Sequence, residues 1–518
     1  MLRLSMRKTV LIMALALAGL TLRAQTPATT PATTNSMGTA NTAANPNRPI
    51  SLEEAIAMAL QSNLDIQIAR YNPTISRYAI SEAYAVYEPD FQTSYNHVDA
   101  TRPGGFNANT GLIIPASRSV VDGFGAGVGQ GIAGYAPSGL TYSFDGRVSE
   151  VERFLPSSHE YNSDVGISLR QPLLRGFLID QSRALIQLSK RDLRISEDEL
   201  RREINDILLK VEQAYYNLIY ARENVKVQAT ALELASQLLR ENRKKVEVGA
   251  LAPLDEKQAE SEVASTRAAL IDAERLLSEQ QNKLKGLITD KYAEWNAVNL
   301  EPMEKLVAVP ATLDLQASWG RGLTKRPDLS RLKFELEKAG ITLKLRKNQL
   351  WPELDLVGSY RVAELNNVGY GRAIGDLGYG RNPTYSYGVQ MEIPLGNRAA
   401  RARLGSAKAV KERSLMDYKK LEQQIMVEID DAVKLIRSDF ERVEATRSAR
   451  AFAQEALAAE QKKLENGKST SFLVLQFQRD LTVRSSDEIK ALADYNNALA
   501  ELANREGASM ERNHINMK

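Results

Sequence analysis

Hydrophobic and polar positions follow three different patterns along the chain. Residues 50–88 and 313–349 carry helix-like spacing, and each run is ended by a proline, Pro89 or Pro352. Four segments then read as strands, at about 90–102, 161–174, 352–365 and 384–394, and three of them show alternation. In one, Leu354, Leu356, Tyr360 and Val362 fall on one face and Asp355, Ser359 and Arg361 on the other. In another, Tyr385, Tyr387, Val389, Met391 and Ile393 alternate with Ser386, Gly388, Gln390 and Glu392. Earlier in the chain, Val165, Ile167 and Leu169 oppose Gly166, Ser168 and Arg170. A period of two means strand, with one apolar and one polar face.

The third pattern is a long helical arm. No proline lies between Pro172 and Pro253, and none follows Pro394. Residues 181–248 and 399–466 are rich in Ala, Leu, Glu, Lys, Arg and Gln, which favour helix. Alternating steps of four and three from Leu200 to Val246 meet an apolar residue at every position except Gln228 and Asn242, the seam of a packed neighbouring helix. The frame from Tyr418 is more interrupted, by Glu422, Asp439, Arg450 and Glu460. Each arm of about 68 residues is about 100 Å long at 1.5 Å per residue. Gly249 and Gly467 then offer left-handed caps just after a Lys-Lys pair. Pro253 suits the first turn of a returning helix over 253–288, and Ser469, Thr470 or Ser471 suits the cap of another over 470–505.

These patterns occur twice. SLEEAIAMALQSNLDI at 51–66 aligns with DLQASWGRGLTKRPDL at 314–329, and the same shift puts Pro89 on Pro352. GISLRQPLL at 166–174 aligns with GVQMEIPLG at 388–396, and KKVEVG at 244–249 with KKLENG at 462–467. Gln258 then falls on Gln476. The chain therefore reads as one unit written twice, at 51–298 and from 311 to about 505, with a linker at 299–312 and a polar C-terminal tail at 506–518.

Ahead of the repeats, Arg3, Arg7 and Lys8 precede the apolar run TVLIMALALAGL and the small residue Ala24. That order predicts a secretory signal peptide over 1–24, with Leu22 an imperfect match to the cleavage pattern. Residues 25–49, rich in Thr, Ala, Pro and Asn, read as a disordered leader. The formal charge of +3 falls to −1 once Arg3, Arg7, Lys8 and Arg23 leave with the signal. A chain so balanced has no field to draw it to nucleic acid.

There is no cysteine, and the three histidines, His97, His159 and His514, are scattered. That excludes thiolate zinc sites, iron–sulfur clusters, cysteine nucleophiles and an N-terminal lipidated cysteine. Gly129, Gly131 and Gly134 spell a dinucleotide fingerprint, but Pro137-Ser138-Gly139 follows where the motif needs a helix. Small residues where chains approach closely are the simpler reading. No catalytic, cofactor or metal site is expected, and the chain does not read as an enzyme.

The alternating segments are long enough for outer-membrane strands, which need about 9–11 residues. Four strands cannot close a barrel, and lipid does not tolerate open edges. Several chains must therefore pool their strands.

With its signal peptide, duplicated strand–strand–long-helix unit, QPLLRGF at 171–177 and VEVGALAPLDEKQAE at 246–260, the chain resembles the TolC-type outer-membrane efflux proteins. The resemblance covers residues 51 to about 505. It implies a mainly α fold with β: a homotrimer whose 12-stranded outer-membrane β-barrel, set in lipid, continues as a periplasmic α-helical barrel. It implies an exit duct of a tripartite efflux or type I secretion system, partnered by a periplasmic adaptor protein and an inner-membrane pump. Adaptor docking would fall at the hairpin tips, around Gly249, Pro253, Gly467 and Ser469. The resemblance sets the gate just beyond the glycines, where many members carry acids six and nine positions after the second one. Here those positions are Leu473 and Gln476, whereas the first copy has Asp255 followed by Glu256. A ring of Leu473 would gate by excluding water, and a ring of Asp255 would favour cations.

Residues 103–160 have no counterpart of equal length in the second copy, where 366–383 does the same work. Within them GLTYSFDGRV, from Gly139, reads as an extra strand that either lengthens the outer end or adds a hairpin. The rival to a channel is a periplasmic helical-hairpin adaptor without a barrel, which the long hairpins alone would fit.

Overall fold

The computed structural model describes residues 47–515 apart from 108, 110, 115, 125–130, 155–156 and 250. The expected signal peptide, and the leader as far as residue 46, lie outside the described residues. The leader's last residues are not loose: Asn47–Ile50 is a strand, β1. Ser51 then caps helix α1 (Leu52–Ser62), its hydroxyl accepting the Glu54 N–H at 3.1 Å. The run 50–88 is two helices, because Asn63 interrupts it. The Asn63 side-chain oxygen accepts the N–H groups of Asp65 and Ile66 and so starts α2 (Leu64–Tyr84), while its amide donates to Leu287 O at 3.0 Å.

Strands β2 (Asp90–Gln92), β3 (Tyr95–Arg102), β4 (Ser117–Phe124), β5 (Gly131–Tyr135), β6 (Thr141–Phe154) and β7 (Ser157–Pro172) follow. They lead into α3 (Gln181–Glu247) and its return helix α4 (Pro253–Ile288). The second half runs β8 (Asn299–Pro302), α5 (Leu315–Lys325), α6 (Pro327–Asn348), β9 (Glu353–Asn366), α7 (Tyr370–Leu377) and β10 (Pro383–Glu392). It ends with the long α8 (Arg398–Glu465), its return α9 (Ser471–Arg505) and a short α10 (Ser509–Arg512). As in the first half, 313–349 is two helices. Asp314 caps the first, and Pro327 starts the second. None of the described helices is long and apolar enough to cross a membrane.

Two cores sit where the short helices meet the arms. In the first, Ile56, Ile66, Tyr215, Leu218 and Leu284 pack with Ile50 and Leu300. Those last two belong to β1 and β8, which pair in parallel from Asn47–Asn299 to Ile50–Pro302. The segment 299–312 is therefore not a free linker at its start. Nor is the expected tail free over 506–515, since Met510 and Ile515 pack on this core and Asn513 donates to Glu212 at 2.7 Å. In the second core Ile425, Ile429, Val433, Ile436 and Tyr495 pack beneath α5 and α6. Gly322 lets the helices pack closely there, because a Cβ would stand 2.5 Å from Ile429 Cδ1 and force that side chain to shift. The arms lie side by side in the order α4, α3, α9, α8, with α6 packed on both α3 and α8 and α2 on α3.

The main sheet corrects the count of four strands. Its order is β10-β9-β7-β6, with β6 pairing β5 at one end and β4 at the other. β2 continues from β5 and β3 from β4, so the expected single strand at 90–102 is two short ones in line. Among the described residues the sheet is six strand positions wide, and the extra segment adds a hairpin. In 366–383, α7 lies over the outer end of the sheet, where Ser163 Oγ donates to Ala373 O at 2.6 Å.

Two of the charged residues in the seam of α8, Asp439 and Glu460, are buried but partnered, Glu460 by Lys463 at 2.9 Å. Asp439 is 6% exposed, with Arg442 at 3.7 Å. Burial pushes the Asp439 carboxyl pKa up, Arg442 opposes the rise and Asp494 adds to it. The folded state then holds this proton more tightly than the unfolded state does. The stability that this contributes is full below the ordinary aspartate pKa and is lost as pH rises through the raised folded value. Asp439→Asn is expected to raise the melting temperature near pH 8 by about 1–3 °C, with the gap closing in acid; scanning calorimetry across pH checks this.

Candidate functional site: a two-faced sheet and the hairpin tips

The register aligns side chains into rows that cross the whole sheet. One row is Tyr385, Tyr360, Ile167, Phe144, Ile132 and Phe91, one residue from each strand position. All six are exposed, from 42% at Ile167 to 74% at Tyr385. The adjacent row on the opposite face is Ser386, Ser359, Ser168, Ser143, Ala133 and Asp90. An exposed apolar band of this extent marks a surface that meets lipid or protein, backed here by a face of small polar groups.

The polar face is held by ion pairs between strands. Arg170 on β7 pairs with Asp355 on β9 at 2.6 Å and also with Glu353. Arg361 on β9 reaches Asp164 on the neighbouring β7 and, one strand further, Asp145 on β6. Gly166 clears the way, since a Cβ there would lie 3.2 Å from the Arg361 guanidinium carbon. The glycine fingerprint has a related explanation. Gly131 and Gly134 lie in β5, where a Cβ would stand 2.0 Å from Phe144 O and 2.3 Å from Tyr142 Oη. Gly129 is outside the described residues. Gly131 thus sits where two strands approach closely, and Gly134 lies against the Tyr142 ring. Among the described residues no group of three His, Cys, Asp or Glu is placed to hold a metal ion.

At the far end of the arms both turns close on a left-handed glycine, Gly249 at φ +77° and Gly467 at φ +71°. The Gly249 N–H donates to Val246 O at 2.9 Å and the Gly467 N–H to Leu464 O at 3.0 Å. Pro253 begins α4 as its first residue, and Asp255 and Glu256 fill the first turn, where the helix dipole favours acids. Thr470 caps α9 by accepting the Leu473 N–H. The Ser469 hydroxyl instead donates to Glu460. Glu256 is held by Arg243 at 3.0 Å, which also reaches Glu260 at 3.2 Å. Lys257 and Arg243 together lower the Glu260 pKa. Leu473 and Gln476 are exposed on the first turns of α9.

One residue joins the two tips. Asn242, fully buried, donates to Asp255 O at 3.4 Å and accepts from Ser471 Oγ at 3.0 Å. Asp255 and the start of α9, two residues before Leu473, are thus tied to the same side chain. Gln476 is not part of this link. Sequence reasoning met Asn242 only as an exception in an apolar seam, and a lone polar residue in such a seam commonly sets helix register. It also passed over Val248, Leu254 and Phe472, which are 78%, 66% and 51% exposed and give the tips an apolar surface.

A family model described as outer membrane efflux protein matches residues 116–289 and 320–508, together well over half of the chain. The outer membrane efflux protein BepC of Brucella suis biovar 1 (strain 1330) is 23% identical over 327 residues, 61% of this chain and 66% of that protein. Nodulation protein T of Rhizobium leguminosarum bv. trifolii is 24% identical over 304 residues, 56% of this chain and 60% of its own. These matches span just under two thirds of the relatives' length. The crystal structure of the Campylobacter jejuni CmeC outer membrane channel superposes with a TM-score of 0.64 at 15% identity, over 88% of this chain and 86% of that one. That is a likeness of fold.

Asn242→Ala leaves the Ser471 hydroxyl without its acceptor and removes the donor to Asp255 O, and it is expected to destabilise the tips by about 1–3 kcal/mol. Faster amide exchange confined to residues around 242–256 and 470–475 is the readout.

Proposed function

The chain belongs to the outer membrane efflux protein family, and on that premise we propose that three copies form one exit duct through the outer membrane and into the periplasm. One observation carries the reading. The sheet has an exposed apolar row, a polar opposite face and, among the described residues, an open strand ladder at each edge, β10 and β2–β3. At lipid depth each unpaired backbone group costs several kcal/mol, so such a sheet persists there only as part of a closed barrel.

The internal repeat supplies the rule for closure. Within the chain, β9 of the second copy pairs with β7 of the first, and α6 of the second lies against α3 of the first. Among the described residues the first copy leaves the matching surfaces open: the outer edge of β2–β3 for a strand, and the exposed face of α2 for a helix. On α2, Ile68, Tyr71, Ile75 and Tyr78 recur at helical spacing and are 65%, 68%, 62% and 73% exposed. A neighbouring chain's β10 and α8 are what the repeat predicts there, and apolar Val427 and Leu435 on α8 are 59% and 49% exposed.

The arms extend the barrel as a tunnel, whose tips dock a periplasmic adaptor and through it an inner-membrane pump. Gly249, Pro253, Gly467 and Ser469 shape those tips, and Val248, Leu254 and Phe472 give an adaptor apolar contact. Asp255, Glu256, Leu473 and Gln476 form the gate, with Asp255 setting its charge. The duct is passive and not an enzyme, and it exports small molecules or polypeptides that the pump delivers. A soluble periplasmic adaptor has no use for a six-residue apolar row open to solvent, so that alternative fits poorly.

The repeat also gives the register between chains. Asp355 stands opposite Pro172. The repeat alignment carries that pair to Gln92 and Pro394, and so sets Asn96 opposite Gln390 of the next chain. In this cysteine-free chain, Asn96→Cys with Gln390→Cys is expected to give disulfide-linked dimers and trimers on non-reducing gels, whereas Asn96→Cys with Glu392→Cys gives few. Only monomer from both pairs contradicts the closure. For the gate, Asp255→Asn is expected to lower cation selectivity in planar bilayers by about two- to threefold, and unchanged selectivity removes Asp255 from it.

A further inference from the structure

We infer that each chain contributes six strands to the membrane barrel, so that three chains close it with 18 strands and make it an open aqueous pore. The inference rests on the trimeric duct proposed above and goes beyond the twelve strands that the family resemblance implies. It turns on residues 117–154, which supply β4, β5 and β6 and have no counterpart in the second copy.

Three observations place this hairpin in the wall instead of outside it. The pairing is continuous: β6 runs beside β7 for its full length, from Thr141–Arg170 to Phe154–Ser157, and β4 and β5 separate it from β3 and β2. The first-copy strands of the simpler pattern, β3 and β7, therefore do not touch each other in the sheet. Direct β3–β7 pairing would require breaking both of those ladders. Second, the inserted strands share the alternation of the wall. Phe144 and Ile132 continue the apolar row and are 52% and 43% exposed, while Ser143, Asp145 and Ala133 continue the polar one. Third, Arg361 of the second copy is paired on the polar face with Asp145 of the inserted strand. That contact crosses β7 and joins strands that belong to one continuous surface.

The widths also agree. Four arms per chain at about 8–10 Å between axes occupy about 32–40 Å of circumference. Six strands about 4.8 Å apart, tilted by about 35–45°, occupy about 35–41 Å, and four occupy only about 23–27 Å. Six strands meet four arms without a step in radius. Barrel diameter grows roughly in proportion to strand number, so an 18-stranded wall is about 1.5 times wider than a 12-stranded one at the same tilt, and 16–18 strands leave an aqueous channel. The consequence is that the membrane segment does not sort cargo by size. Selection falls to the periplasmic tips, and the barrel admits bulky hydrated cargo such as polypeptide.

Electron cryomicroscopy of the full chain in lipid nanodiscs tests this directly. The expected result is a threefold particle with 18 strands in section, in which β4, β5 and β6 lie within the wall. A threefold particle with 12 strands and the hairpin outside overturns this inference and leaves the trimeric duct intact. A particle with no threefold closed barrel overturns both.

Discussion

The structure depends on one constraint: a backbone in lipid must find all its hydrogen bonds within protein. A helix meets this alone, and a sheet meets it only by closing. The sheet here has an apolar row built for lipid, running from Tyr385 to Phe91, and an edge at each side. The rest of the molecule follows from how those edges are closed. The same duplication that pairs β9 with β7 inside the chain leaves β2–β3 and β10 as the sheet's edges among the described residues, and these are the edges that the proposed trimer joins between chains. The duplication that sets α6 between α3 and α8 leaves α2 with its apolar stripe uncovered.

The long arms obey a different logic. Within each hairpin the seam joins neighbours in the chain, and each turn is stabilised by the one beside it. Polar residues within those seams set register. Asn242 holds the first tip against the start of α9, and Arg479 pairs with the nearly buried Glu262 between α9 and α4. Toward the middle Ser486 meets Asn224, and Asn497 meets Asn217. A seam fixed by hydrogen bonds of this kind can be reset by exchanging partners, which an apolar seam alone does not offer.

Much of this was legible in the chain itself. Strict alternation at 384–394 shows because a strand with one lipid face cannot slip by one residue without reversing every side chain. The arms show because nothing in 181–248 or after Pro394 stops a helix. Less visible features depend on distant partners. β1 and β8 are four residues each, polar at one end, and paired across about 250 residues of chain. The segment around Met510 and Ile515 looks like a polar tail until its two apolar residues meet the core. The inserted hairpin is rich in glycine, and its own pattern announces one strand, 139–148, but not β4 or β5. At the tips, Gly249, Pro253 and Gly467 follow from turn chemistry, whereas the role of Asn242 follows only from where Ser471 and Asp255 come to lie.

The central claim is that the sheet is completed by other copies of the same chain. Native mass spectrometry of the detergent-solubilised outer-membrane protein tests it most directly. A mass of three chains is the result this account predicts, and a monodisperse single chain of intact, folded protein would contradict it.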